Sequence, residues 1–395
     1  MSGETSLYVH VPFCASGLHH PGKCGYCDFY SVPVKTGDPR PALFTETLLS
    51  EGERLFDSFK PADVPTLYIG GGTPSVLGPD GIRRLLKGLL ALIARYASSP
   101  PKEITVEANP ESADEAFLAA ARESGATRLS LGVQTFHAPS RRLLRRIGAE
   151  DDAFLHERLA LAAQYFPGSF SVDLISGLPQ QNETVLLEDI VAVLSYQPAH
   201  VSLYALTVEE GTPLASSLAA GLLTLPDRDE ADRLWISGRG ALEKAAYAQY
   251  EVSNFCLSGK ESLHNVRYWL MQSWLGLGPA ASGTIINDEA GTGRRYTIPP
   301  DVDTWLSGCF SPQFEELDTP TLIKEHFLMG FRYIDGPDED IFRRRFNTDI
   351  ASCIPKTLRS WRERGLLRSD KCALTKEGLL FLDRFLVEAF QEFSK

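Results

Sequence analysis

Six short β-rich apolar runs, each followed by an amphipathic stretch of helical period, fill the first half of this 395-residue chain. The runs are Leu7–Val11, Thr66–Ile69, Ile104–Glu107, Arg128–Val133, Ser169–Leu174 and His200–Tyr204. Helical stretches between them include Gly81–Tyr96, Ser112–Ser124, Ala153–Tyr165 and Glu183–Tyr196. Such alternation predicts an α/β fold with a parallel sheet and crossover helices. On pattern alone, a partial (β/α)6 barrel and an open doubly wound sheet both satisfy it. The polar residues add a second constraint, because they collect where the strands end. A cysteine loop follows the first run and Gly70-Gly-Gly-Thr-Pro-Ser75 the second. Glu107-Ala-Asn-Pro-Glu111, Gln134, Asp173 and Tyr204 mark the ends of the other four. In parallel barrels the C-terminal strand ends form the reactive face, so all six features point to one mouth.

Cysteine usage separates ligands from packing. Of seven cysteines, Cys256, Cys309, Cys353 and Cys372 are scattered singly and read as small apolar residues. Cys14, Cys24 and Cys27 cluster on one loop and read as metal ligands in a reducing cytoplasm. Zinc would need a fourth closed ligand, and no second C-x2-C supplies one. A redox dithiol would leave the third cysteine and the glycine loop without a purpose. Three thiolates can hold three irons of a [4Fe–4S] cube and leave the fourth open, which suits chelation of S-adenosylmethionine (SAM). The glycine loop brings bare backbone close to a ligand, although a tight turn alone also accounts for it. Glu107 ends an apolar strand, where a carboxylate needs a partner such as a ribose hydroxyl or an ammonium.

The segment Ser6-Leu-Tyr-Val-His-Val-Pro-Phe-Cys14, with Cys24-Gly-Tyr-Cys27-Asp28-Phe29 and the glycine loop, resembles one branch of the radical-SAM superfamily. That branch contains the oxygen-independent coproporphyrinogen III oxidases and the HemW-type haem chaperones. The resemblance favours the barrel, a TIM-like radical-SAM core, over the open sheet. It implies that Gly72 and Thr73 receive the methionine amino group, and that Gln134, Arg146 and Asp173 are further SAM contacts. Tyr8 and Tyr26 match residues flanking the cluster and cofactor; a core aromatic is the competing reading for Tyr8, and a structural salt bridge for Arg146. One departure stands out. The family spacing is C-x3-C-x2-C, whereas Cys14 and Cys24 enclose the nine residues Ala15 to Lys23. Lengthening a flexible loop this far costs only about 0.8 kcal/mol. His20-x3-Cys24 restores the spacing with a histidine first, but Cys14 leaves its strand as the family's first ligand does.

Three features separate the two groups within the branch. The run Cys27-Asp28-Phe29 lacks the further cysteine of the oxidases' C-x-C ending, and only seven residues precede Tyr8, whereas the oxidases have an N-terminal extension. His264-Asn265-Val-Arg-Tyr268-Trp269 matches the H-N-x-x-Y-W haem motif of the HemW group. The imidazole of His264 could serve haem iron, with Tyr268 and Trp269 as flat apolar faces. The resemblance thus implies a chaperone that binds a [4Fe–4S] cluster, SAM and haem and delivers haem to an acceptor protein. Oxidative decarboxylation of coproporphyrinogen III is the runner-up.

Composition bounds the partners. A net charge of −12 argues against nucleic acid, and no apolar run approaches the ~20 residues of a membrane span. The acidic start of the chain is no secretory signal, which points to the cytoplasm. We expect a core barrel over 1–225, a barrel-capping region with the haem motif over 226–318, and a winged-helix-like module over 319–395. Lys356, Arg359, Arg362, Arg364 and Arg368 of that module read as a solvated basic face.

Overall fold

Period-2 alternation sorts the N-terminal strands into two faces. Leu7, Val9, Val11, Leu67, Ile69, Ile104, Val106, Leu129, Leu131, Val172, Leu174, Val201 and Leu203 are buried in the main core. The positions between them are polar: Ser6, Tyr8, His10, Thr66, Tyr68, Thr105, Glu107, Arg128, Ser130, Ser171, Asp173, His200 and Ser202. An apolar face must be covered by helices, and a polar one must satisfy itself or meet a ligand. The computed structural model describes residues 3–15, 23–146 and 152–394. The remainder of the cysteine-loop insertion, with His19 and His20, lies outside them.

The strands are Ser6–Val11, Thr66–Gly71, Glu103–Ala108, Arg128–Gln134, Phe170–Ser176 and His200–Ala205. They lie side by side in chain order, each parallel to the next. A doubly wound sheet would reverse its order at a switch point, so this is the partial (β/α)6 barrel. Helices Arg40–Phe59, Gly78–Ile93, Glu115–Glu123, Asp152–Tyr165 and Glu183–Leu194 return the chain between strands. Two begin where a short polar side chain caps them. Asp114 accepts from Phe117 N–H, and Asn182 from Val185 N–H. Helix Gly78–Ile93 buries Ile82, Leu85, Leu86 and Leu89 at helical spacing, each worth roughly 1.5–3 kcal/mol in transfer from water.

The sheet does not stop at six strands. Beyond His200–Ala205 it gains the antiparallel strands Asn254–Cys256 and Ala248–Gln249. At the other edge Trp274–Leu277 pairs parallel with Ser6–Val11, followed by an antiparallel meander of Ser282–Asn287, Thr292–Thr297 and Gln313–Leu317. The boundary expected at residue 225 therefore does not divide the core: Leu242, Phe255, Leu275, Tyr296 and Trp305 belong to the same buried cluster as the barrel strands. A second core does form near the expected boundary at 319, around Phe327, Phe331, Phe342, Ile354, Trp361 and Phe385. Its last helices are Lys376–Leu379 and Leu382–Phe393, and a single antiparallel bridge joins Leu367 to Leu374 before them. The basic face is partly neutralised, with Arg364 on Glu388 and Arg368 on Asp370. No helix among the described residues is long and apolar enough to cross a membrane.

Candidate functional site

After Val11 the chain turns at Pro12 into the short strand Phe13–Ala15, which carries Cys14 and pairs parallel with Val32–Val34. Cys24 and Cys27 follow on a loop held from both sides. Gly25 N–H donates to Leu144 O at 2.6 Å, and Leu214 N–H donates to Gly25 O at 2.8 Å. The glycine loop then packs against the cysteine strand, with Gly72 N–H on Val11 O at 2.8 Å and Thr73 N–H on Phe13 O at 2.7 Å. Only glycine permits this approach, since a Cβ on residue 72 would lie 2.5 Å from Phe13 O. At residue 70 a Cβ would strike the Glu107 carboxylate at 2.8 Å.

Together these elements wall a cavity of about 410 Å³ at the C-terminal end of the strands. Cys14, Cys24, Cys27, Tyr26, Gly72, Thr73, Glu107, Gln134, Arg146 and Asp173 all line it, as the sequence led us to expect. Tyr8 does not. Its hydroxyl bonds to His10 Nδ1 at 3.0 Å and its ring packs against the main core. Asp28, Phe29 and Tyr204, the last on strand His200–Ala205, also line it.

Hydrogen bonds tie the two halves of the cysteine loop together. Thr73 Oγ1 donates to Cys14 Sγ at 3.7 Å and accepts from Asn109 Nδ2 at 2.9 Å. Asn109 Oδ1 accepts from the Arg146 guanidinium at 3.0 Å, which also donates to Cys24 Sγ at 3.4 Å and to Gly132 O. Arg146 is thus bound to site groups, one sulfur and two oxygens. Asn109 had drawn no separate notice in the sequence, although it lies two residues past Glu107 on the same loop. Gln134 stands at φ 71° beside a bulge, a left-handed backbone that turns the strand end into the cavity.

Electrostatics follow from burial. Desolvation pushes the Cys14 thiol up and that of Cys27 to about 11, with the neighbouring cysteines adding to both. A metal must therefore displace protons to bind. Glu107 is pushed up to about 7 by burial and by Asp173, against hydrogen bonds from Tyr68 (2.6 Å) and Gly71 N–H (3.2 Å). Asp173 rises as well, again chiefly from burial. The described residues hold no three-ligand group tight enough for a single metal ion. Three thiols lining one cavity, with a cation at one sulfur, fit the three-cysteine ligand set of an iron–sulfur cluster.

The haem motif lies at the other end of the strands. Ser262 caps helix Leu263–Trp269, whose first N–H groups (Leu263 and His264) donate to the Glu103 carboxylate at 2.9 and 3.1 Å. Glu103 begins its strand, so this helix forms the floor of the barrel. His264 is 2% exposed. Its Nδ1 is bonded to Thr66 Oγ1 at 2.8 Å, and its ring lies between Tyr68, stacked at 4.9 Å, and Tyr268, edge-on at 4.9 Å. Burial lowers its pKa to about 3, so it is neutral. Asn265, Tyr268 and Trp269 are half-buried. With Nδ1 taken by Thr66, the nitrogen left for an iron is Nε2, which is buried and has no hydrogen-bond partner among the described residues, so in this arrangement it is not presented to an incoming haem.

Comparison with known proteins agrees with the cavity. Residues 8–191 match the Radical SAM superfamily. The solved coproporphyrinogen III oxidase (HemN) of Escherichia coli superposes with a TM-score of 0.79 at 20% identity, covering 98% of this chain and 90% of that one, a likeness of fold. In sequence the chain is 34% identical to radical S-adenosyl methionine domain-containing protein 1, mitochondrial, of Bos taurus, over 98% of this chain and 87% of the relative. It is 31% identical to the heme chaperone HemW of Buchnera aphidicola subsp. Acyrthosiphon pisum, over 96% and 97%, and 32% identical to that of Lactococcus lactis, over 93% and 91%. With the cysteine loop, the glycine loop and Glu107 on one wall, and relatives of this kind aligned along nearly its full length, the chain belongs to the HemW family of radical-SAM proteins.

Proposed function

We propose that this protein is a haem chaperone that holds a [4Fe–4S] cluster on Cys14, Cys24 and Cys27, binds SAM beside it, takes up haem and passes it to an acceptor protein. The observation that carries the reading is one cavity with three cysteines, a clamped glycine loop and the carboxylates of Glu107 and Asp173 on its wall. When bound, such a cluster offers an open iron to the amino and carboxylate groups of SAM. The chain's own residues do the rest. Arg146 offsets thiolate charge at Cys24, and Gly72 and Thr73 present backbone to the methionine end. Glu107 and Asp173 supply acceptors for hydroxyl or ammonium groups, and Gln134 and Tyr26 close the sides. The run Cys27-Asp28-Phe29, without the further cysteine of a C-x-C ending, favours the chaperone over the oxidase.

For haem we assign the mouth of this cavity, where Phe29 is 64% exposed and Tyr204 42% exposed. Flat side chains left in water at a cavity rim suit an apolar macrocycle. A reducing compartment, the cytoplasm, keeps the seven cysteines free. Titration of the cluster-loaded protein with haem, followed by absorbance, tests the assignment. Stoichiometric uptake is expected, weakened at least tenfold in Phe29→Ser/Tyr204→Ser; undiminished uptake in that variant would place haem elsewhere.

A further inference from the structure

The floor helix and the SAM cavity are joined by one side chain. Tyr68, on the second barrel strand, donates its hydroxyl to Glu107 Oε1 at 2.6 Å, the single side-chain hydrogen bond to that carboxylate among the described residues. The other face of the problem is how Tyr68 is held. Its ring stacks on His264 at 4.9 Å with 27° between planes, and His264 is fixed by Thr66 and by the edge of Tyr268. Glu103 fixes the helix below through the N–H groups of Leu263 and His264. A packed column thus runs from the floor, Glu103 to His264 to Tyr68, and ends on the carboxylate that faces the cavity.

We propose that Tyr68 is a positioning residue for Glu107 in SAM binding, and that His264 acts through it, from the floor of the barrel, rather than as a haem ligand. The inference rests on the SAM site proposed above. Gly70 and the backbone N–H of Gly71 confine Glu107 from the loop side, but neither sets the direction of Oε1. The hydroxyl does, leaving the remaining lone pairs toward the cavity. It also favours the ionised carboxylate, which is the form that accepts from a ribose hydroxyl or an ammonium. The other charged groups facing Glu107 are Asp173, which opposes its ionisation, and Arg128, which favours it; neither is hydrogen-bonded to it.

The test measures SAM affinity of the cluster-loaded protein from the change SAM causes in the EPR spectrum of the reduced cluster, with haem uptake by absorbance as a second readout. Tyr68→Phe keeps the ring and its stack. It weakens SAM about tenfold near pH 7, because Glu107 is then less ionised and its carboxylate must be oriented at the expense of binding. The deficit narrows toward pH 9, where Glu107 is ionised with or without the hydroxyl. His264→Ala weakens SAM in the same direction and leaves haem uptake unchanged, and His264→Phe, which restores a flat ring beneath Tyr68, recovers most of the affinity. Glu107→Gln reports on the underlying site. If Glu107→Gln loses SAM while Tyr68→Phe binds as wild type, the proposal alone is overturned. If Glu107→Gln binds SAM normally, the SAM site is misassigned and the proposal falls with it. Loss of haem uptake in His264→Ala with SAM affinity intact returns the histidine to the iron and also overturns the proposal.

Discussion

Glu51 should make the apoprotein less stable as pH rises, and Glu51→Gln should remove that effect. The residue lies on helix Arg40–Phe59, 3% exposed. One carboxylate oxygen accepts from Gly278 N–H at 2.9 Å and Trp305 Nε1–H at 3.2 Å, and the other has no partner. Burial pushes its pKa from 4.5 up to about 7, against those two donors. A folded state that holds its proton more tightly than the unfolded state is favoured most below pH 4.5 and loses that advantage as pH rises through 7. The gap between 4.5 and about 7, at about 1.4 kcal/mol per pH unit, amounts to about 3 kcal/mol. Glutamine keeps an oxygen for both donors but buries an unsatisfied N–H, which costs about 1 kcal/mol. The variant should therefore gain about 2 kcal/mol at pH 8, a melting temperature higher by about 2 °C for a chain of 395 residues, and gain nothing at pH 5. Thermal unfolding of the anaerobic apoprotein at both pH values reads this directly. Equal destabilisation of the variant at pH 5 and pH 8 would refute the reasoning, because it would mean Glu51 is ionised and well paired throughout.

The loop geometry makes further predictions. Gly72→Ala sets a methyl 2.5 Å from Phe13 O and 3.0 Å from Phe13 N, backbone that no rotamer change can move; it should cost about 1–3 kcal/mol in thermal unfolding and disturb the cluster spectrum. Gly70→Ala meets the Glu107 carboxylate, a side chain rather than backbone, as its nearest neighbour, so it should displace that carboxylate and weaken SAM binding while the iron–sulfur absorbance is retained. Cys14→Ala, Cys24→Ala and Cys27→Ala should each abolish that absorbance after reconstitution. A cluster kept in Cys14→Ala but lost in His20→Ala would give the first position to the histidine.

Local chemistry was legible in the sequence, and long-range packing was not. The six strands emerged within a few residues of their expected bounds, because each combines period-2 apolarity with a polar residue at its end. The cysteines, Glu107, Gln134, Arg146 and Asp173 converge on one cavity for the same reason: a parallel barrel brings successive strand ends to one mouth. Strand Trp274–Leu277 could not be foreseen, since its partner Ser6–Val11 lies more than 250 residues earlier in the chain and its own run is short. Nor could the place of His264. Its motif is a local pattern, whereas its burial depends on Thr66, Tyr68 and Glu103, three residues from two distant strands. Tyr68 itself reads as an ordinary strand aromatic until Glu107 is seen within 2.6 Å of its hydroxyl.

The central claim is that this cavity serves haem delivery and not porphyrinogen oxidation. It is tested most directly by one anaerobic, cluster-reconstituted preparation, supplied with SAM and a reductant and divided between haem and coproporphyrinogen III. The account predicts stoichiometric haem binding, transfer of that haem to an apo haem protein, and no protoporphyrinogen IX. Sustained conversion of coproporphyrinogen III, with haem left unbound, would contradict it.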